Sequence, residues 1–315
     1  MKLTIEIENW PIRGHFAISR SKIDHVTLCV VTLSHDGYKG RGECRPYARY
    51  NETAESVSVQ ILSIKDDIEN STPEALSQNI NQILPAGAAR NALDCAIWDL
   101  RCKIAGQNIW HILGTPMPSP QMTAYTLSAD DPELMAQKAC EVPDFTHLKL
   151  KVDRSRLNEQ ITAVAKARPD ARYIIDANEA LKGEDVFALA HHPMADKIVL
   201  IEQPIHNDDV DHYDFSSYHG PQLCADESLH TAQDLTRLKS LGYGAVNIKL
   251  DKCGGLTEAL SLIKQAREME FELMAGCMVA TSLAIAPFAA IMDQFDYIDL
   301  DGGCLLYTSP SPRDA

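Results

Sequence analysis

The chain has 315 residues, 45% hydrophobic and 23% charged, the makeup of a globular protein large enough for one sizeable domain and a smaller companion. Acidic side chains outnumber basic ones 44 to 29, for a formal charge of −15. Neither nucleic acid nor an anionic membrane is then an expected partner, because both require a positive footprint, and an enzyme acting on a small molecule fits better.

Nine cysteines are scattered without a C-x-x-C pair, which argues against a zinc ribbon or a disulfide framework and for reduced thiols in a cytoplasmic protein. Glu6, Glu8 and Arg13 come too early for a signal peptide, and no apolar run approaches the roughly 18 residues of a membrane span. From residue 1 to about 60 the chain alternates with period two (LTIEIE, HVTLCVVTL), broken at His35-Asp36-Gly37, which predicts an antiparallel sheet. From Pro73 the pattern is helical. In AARNALDCAIWDLRCKI, the residues Ala89, Leu93, Ala96 or Ile97, Leu100 and Ile104 fall on one face. Gly114, Pro116, Pro118 and Pro120 then mark a boundary, so that residues 1–120 form an α+β domain.

Beyond it, eight short apolar runs recur about every 25 residues: MTAYTL, HLKLKV, YIIDA, IVLIE, QLCAD, AVNIKL, FELMAG and YIDLD, with helical segments between them. Evenly spaced βα units predict a TIM-type (β/α)7β barrel over residues 121–303, in preference to a doubly wound sheet or a solenoid. Polar residues end the runs with the same step: Lys151, Asp176, Glu202, Asp226 and Lys249. Any one of them reads equally well as a turn former or a helix cap. Five in register read as a site at the C-terminal face of the barrel.

Three carboxylates converging in a partly dehydrated site require a cation, and all-oxygen ligands select a hard ion such as Mg²⁺. Lys151 and Lys249, from the second and sixth runs, stand across the ring from each other. Lysine bases near a divalent cation suggest proton abstraction beside a carboxylate. Lys149 lies on the same side of its strand as Lys151 and would supply a neighbouring positive charge.

The K-x-K of HLKLKVD, the D-A-N of IIDANEAL, the E-Q-P of LIEQPI, the D-E-S of CADES and the K-x-D of NIKLDKCGG resemble the enolase superfamily, muconate-lactonising subgroup. The resemblance runs to Gly303 and implies that residues 1–120 are a capping domain. It implies Mg²⁺ on Asp176, Glu202 and Asp226. It makes Lys151 and Lys249 the acid/base pair of a two-base 1,1-proton transfer through a metal-stabilised enediolate, with Lys149, Asp251 and Asn178 in support. Asp299 and Asp301 alternate to one side of the last run, and two carboxylates away from the metal call for a cationic substrate group. Their D-x-D resembles the dipeptide epimerases, where it holds the α-ammonium. LPAGAARNALDCAIWDL and VNIKLDKCGGLTEAL resemble in particular those members that epimerise the murein-derived dipeptide L-Ala-D/L-Glu.

The resemblance also implies that an arginine of the first lid loop, Arg20, meets the glutamate side chain, and that residues 43–52 (ECRPYARYNE) form a second lid loop. The expected partner is a small dipeptide, and homo-oligomerisation is compatible with this reading. Competing readings are a muconate-type cycloisomerase or o-succinylbenzoate synthase, whose substrates lack an ammonium group, and a truncated non-catalytic product. The last reading rests on residues 304–315, CLLYTSPSPRDA, which do not continue the family pattern and back-translate into a sequencing-library adapter. The expectation there is a non-native tail in place of the true C-terminus.

Overall fold

The structure, a computed structural model, describes residues 1–18 and 21–306. Three strands, β1 (Lys2–Ile18), β2 (Ser21–His35) and β3 (Tyr38–Cys44), form an antiparallel sheet in that order. The predicted turn joins β2 to β3. Asp36 and Gly37 both take positive φ, 47° and 84°, as a two-residue hairpin that follows the strand twist demands.

The sheet ends at Cys44, short of the predicted limit near residue 60. Residues Ala54–Leu62 are instead a helix, started by a capping box between Thr53 and Ser56. The stretch SVSV imitates a strand because valine and serine alternate there. The helix separates them: Val57 is 1% exposed and Val59 66%. Ala54, Val57 and Ile61 are buried at helical spacing.

Helices Pro73–Ile83 and Ala88–Ala105 complete the domain. The second buries Ala89, Leu93, Ile97 and Leu100 as predicted, while Ile104 is 37% exposed in its last turn. It lies on bare backbone of β3. A Cβ on Gly42 would stand 2.1 Å from the carbonyl oxygen of Ala92 and 2.6 Å from the amide of Ala96. Gly42→Ala should therefore cost about 1–3 kcal/mol by overpacking, seen as a lower midpoint in urea denaturation with an unchanged m-value.

Residues 115–124 cross without regular structure to eight parallel strands: β4 (Tyr125–Leu127), β5 (His147–Lys151), β6 (Arg172–Asp176), β7 (Ile198–Glu202), β8 (Gln222–Ala225), β9 (Ala245–Ile248), β10 (Glu272–Gly276) and β11 (Tyr297–Asp299). All eight predicted runs are strands, laid side by side in chain order. The amide of Ala124 donates to the carbonyl of Ile298 at 2.7 Å, drawing the first and last strands together into a nearly closed barrel. The βα rhythm breaks once, since the link from β7 to β8 carries a 3-10 turn (Asn207–His212) instead of an α-helix. After β11 the chain makes a 3-10 turn, Gly302–Leu305, and Leu306 is buried against Ile12, Val26 and Leu28 of the antiparallel sheet. The remainder of the segment expected to be foreign, 307–315, lies outside the described residues.

The helix Ala88–Ala105 also docks the two parts together. Arg90 donates to the carbonyls of Cys253 (2.5 Å) and Gly254 (3.2 Å), which lie just beyond β9. Asp94 accepts from the amide (2.9 Å) and hydroxyl (2.6 Å) of Thr257, capping a barrel helix that has no side-chain cap of its own. Among the described residues, no helix is long and apolar enough to cross a membrane.

Candidate active site

Parallel strands buried on both faces end together, so residues far apart in sequence reach one level of the barrel. Lys151 pairs in register with Asp176, and Asp176 with Glu202. Asp226 follows β8 directly and Lys249 follows β9. These five side chains, with Lys149, Asp299 and Asp301, are all buried. Most of them line a cavity of about 490 Å³ that residues of the segment Arg45–Glu55 also line.

The ammonium groups lie among the carboxylates. Lys149 Nζ is 2.7 Å from Asp299 Oδ2, 2.8 Å from Glu202 Oε2 and 3.0 Å from Asp176 Oδ2. Lys151 Nζ is 2.5 Å from Asp176 Oδ2, and Lys249 Nζ donates to Asp226 Oδ2 at 2.7 Å. Burial alone would depress Lys149, but Asp299, Glu202 and Asp176 outweigh it and hold its pKa well above the ordinary value. Burial likewise opposes the Asp176 charge, and Lys151 and Lys149 overcome it, leaving that carboxyl at about 2. Glu202 goes the other way, to about 7, pushed by burial and by the charge of Asp176.

The expected aspartate pair is split by its surroundings. β11 ends at Asp299, which is held by Lys149, while Asp301 lies beyond the strand and accepts from the amide of Thr126 at 2.7 Å. Burial and the neighbouring Asp299 raise Asp301 to about 7. Asn178, at φ 43°, donates its backbone N–H to Asp176 Oδ1 at 3.0 Å. Asp251 faces the capping domain, accepting from Asn91 Nδ2 (2.8 Å) and from the amide of Arg45 (3.1 Å). Arg20 lies outside the described residues.

Three contributors escape a reading of strand ends. Lys252 is buried, and its Nζ donates to Asp226 Oδ1 at 2.6 Å, to the carbonyl of Asn247 at 3.1 Å and to the carbonyl of Asp226. Its i, i+3 spacing from Lys249 was the available signal. Asn247 Nδ2 donates to Glu202 Oε1 at 2.8 Å. Gln203 Oε1 accepts from the amides of Asp226 (2.8 Å) and Ser228 (3.1 Å), fixing the turn that presents Asp226.

Among the described residues, no group of three or more His, Cys, Asp or Glu side chains stands ready-made around a metal position, for the lysine ammonium groups fill the space between the carboxylates. The donors nonetheless suit a hard divalent cation. Asp176, Glu202 and Asp226 offer only oxygens, from three adjacent strand ends. Among the described residues, Glu202 Oε2 takes no hydrogen bond, though Lys149 Nζ stands 2.8 Å away as an ion-pair partner.

Two family models cover most of the chain. "Mandelate racemase / muconate lactonizing enzyme, N-terminal domain" matches residues 1–114, and "Enolase C-terminal domain-like" matches residues 133–306. The chain belongs to the mandelate racemase/muconate lactonizing enzyme family of the enolase superfamily. Within this family, L-Ala-D/L-Glu epimerase of Escherichia coli (strain K12) is 40% identical over 308 residues, covering 97% of this chain and 94% of that protein. N-acetyl-D-glutamate racemase of Pseudoalteromonas sp. is 41% identical over 281 residues, covering 89% and 87%. An enolase family member from Agrobacterium tumefaciens, solved with sodium and L-Ala-L-Glu, superposes with a TM-score of 0.91 at 38% identity, over 98% of this chain and 94% of that one. The dipeptide epimerase of Enterococcus faecalis V583, solved with Mg and L-Leu-L-Tyr, gives 0.89 at 29% identity, over 98% and 92%. As a family member the chain has the expected architecture, a capping domain over an enolase-type barrel.

Proposed function

We propose that this protein is a Mg²⁺-dependent dipeptide epimerase that inverts the glutamyl α-carbon of L-Ala-D/L-Glu. The observation that carries this reading is the placement of two lysines, Lys151 on β5 and Lys249 just after β9, four strands apart in an eight-stranded ring and lining one cavity with Asp299 and Asp301. Opposed bases suit a 1,1-proton transfer. One lysine takes the α-proton from its face, and the other delivers a proton to the opposite face, so the configuration inverts. Asp176, Glu202 and Asp226 would hold the cation, which supplies positive charge beside the substrate carboxylate as the α-proton leaves. Lys149 offsets the negative charge of that carboxylate cluster, and Asn178 steadies Asp176 through its amide. Asp251 ties the segment carrying Lys249 to the cap.

Asp299 and Asp301 would receive the substrate α-ammonium, displacing Lys149 from Asp299. Two buried carboxylates at this position favour a dipeptide over substrates without an ammonium group, cycloisomerase and N-acyl substrates included. The free cysteines, five of them buried, fit a reducing compartment, and the cytoplasm is the one we assign.

Incubation of pure L-Ala-L-Glu with the protein and Mg²⁺ in D₂O tests the reading. Deuterium should enter the glutamyl α-carbon as L-Ala-D-Glu accumulates, and chelation should stop both. N-acetyl-D-glutamate should be handled far less well. Absence of exchange from folded protein, or a clear preference for the N-acetyl substrate, would overturn it.

A further inference from the structure

The lid segment 43–52 carries two arginines with different fates. Arg49 donates from Nε and Nη2 to the two carboxylate oxygens of Glu179, at 3.0 and 2.8 Å, a bidentate pair that pins the lid to the barrel. Arg45 uses its backbone amide on Asp251, while its guanidinium carbon stands 5.5 Å from the ring centre of Tyr47. That guanidinium makes no ion pair and no hydrogen bond among the described residues. Arg45 is half-buried, and burial presses its pKa down against the pull of Tyr47, Asp251 and Cys277.

Among the described residues, four lysines and arginines line the cavity: Arg45, Lys149, Lys151 and Lys249. The three lysines each have a carboxylate within 3.0 Å. Arg45 has none. A half-buried guanidinium with no carboxylate beside it can take one from a ligand, which its planar fork matches.

A dipeptide ending in glutamate brings one ammonium and two carboxylates. In the reading above, the ammonium is taken by Asp299 and Asp301 and the α-carboxylate by the cation site. The second carboxylate is left over. We propose that Arg45 is the specificity-determining residue of this site, receiving the side-chain carboxylate of the substrate's C-terminal residue and making the enzyme prefer glutamyl over isosteric neutral dipeptides. This inference rests on the epimerase reading for the orientation of the substrate. It places the contact on the second lid segment, whereas the resemblance implied Arg20 on the first.

The test compares L-Ala-L-Glu with L-Ala-L-Gln, which differ in charge and hardly in shape. Calorimetric binding with Mg²⁺ is read separately from α-deuterium exchange. The wild-type protein should bind the glutamyl dipeptide about 10- to 100-fold more tightly than the glutaminyl one, and Arg45→Met should erase most of that preference while the affinity for L-Ala-L-Gln stays nearly unchanged. Arg45→Lys should restore only part of it, a point charge replacing a fork. Retained affinity for L-Ala-L-Gln shows that the variant is folded. The proposal is overturned if Arg45→Met weakens both dipeptides equally, if the wild type has no preference, or if Arg20→Met removes the preference and Arg45→Met does not. An Arg45-dependent preference in binding without any exchange would keep the proposal and overturn the epimerase reading.

Discussion

Replacing Lys249 with methionine should lower epimerisation of L-Ala-D/L-Glu by at least about 10³-fold, and Lys151→Met should do the same. The informative result is what survives. With one base gone, the other can still remove a proton from the stereoisomer that presents it, exchange that proton with solvent through its ammonium group, and return a deuteron to the same face. Each variant should therefore exchange the α-hydrogen of one stereoisomer in D₂O without inverting it, and the two variants should act on opposite stereoisomers. Neither side chain is needed to neutralise its neighbour alone. Asp226 keeps Lys252 when Lys249 is lost, and Asp176 keeps Lys149 when Lys151 is lost. Loss of exchange from both stereoisomers in both folded variants would sink the two-base assignment, because remote distortion has no reason to respect one face of a carbon.

Lys252→Met should be the most destabilising of the substitutions named, by about 3–5 kcal/mol in urea denaturation without added metal. Lys252 is 1% exposed, and its ammonium satisfies one carboxylate oxygen and two backbone carbonyls. Methionine matches its length but leaves those acceptors buried and unpaired, with Asp226 held only by Lys249. Added Mg²⁺ should recover a larger share of stability in this variant than it adds to the wild type, since a cation bound by Asp226 would replace part of the missing charge. An unchanged midpoint, or an equal gain from Mg²⁺ in both proteins, would show that Lys252 is not the counter-charge of Asp226.

Much of the site was legible beforehand because a parallel barrel turns sequence period into spatial neighbourhood. Each strand is a buried apolar run, and the first polar residue after it lies at the same level as the next strand's. That is why Asp176, Glu202 and Asp226 could be placed side by side, and Lys151 opposite Lys249, from their steps along the chain. Helix Ala54–Leu62 was misread because four residues of SVSV satisfy a strand period, and only packing against the capping sheet shows which valine faces inward. The 3-10 link between β7 and β8 was missed for a related reason: an even spacing fixes the length of a connection but not its conformation.

Asp299, Asp301 and Arg45 show where that legibility ends. The D-x-D was visible, but not that Lys149, 150 residues earlier, would hold Asp299 while a backbone amide holds Asp301. Arg45 sat unremarked in the lid sequence beside Arg49. Which of the two keeps free donors depends on Glu179, 130 residues beyond Arg49. The sequence by itself determined the barrel, its order and the ring of charged strand ends, since these follow from local hydrophobic patterning and a constant step. Only the tertiary structure decided which charges pair with one another and which stay available for a ligand. Pairing acts over a few ångströms between groups that chain distance does not relate, and burial alone makes it strong enough to matter.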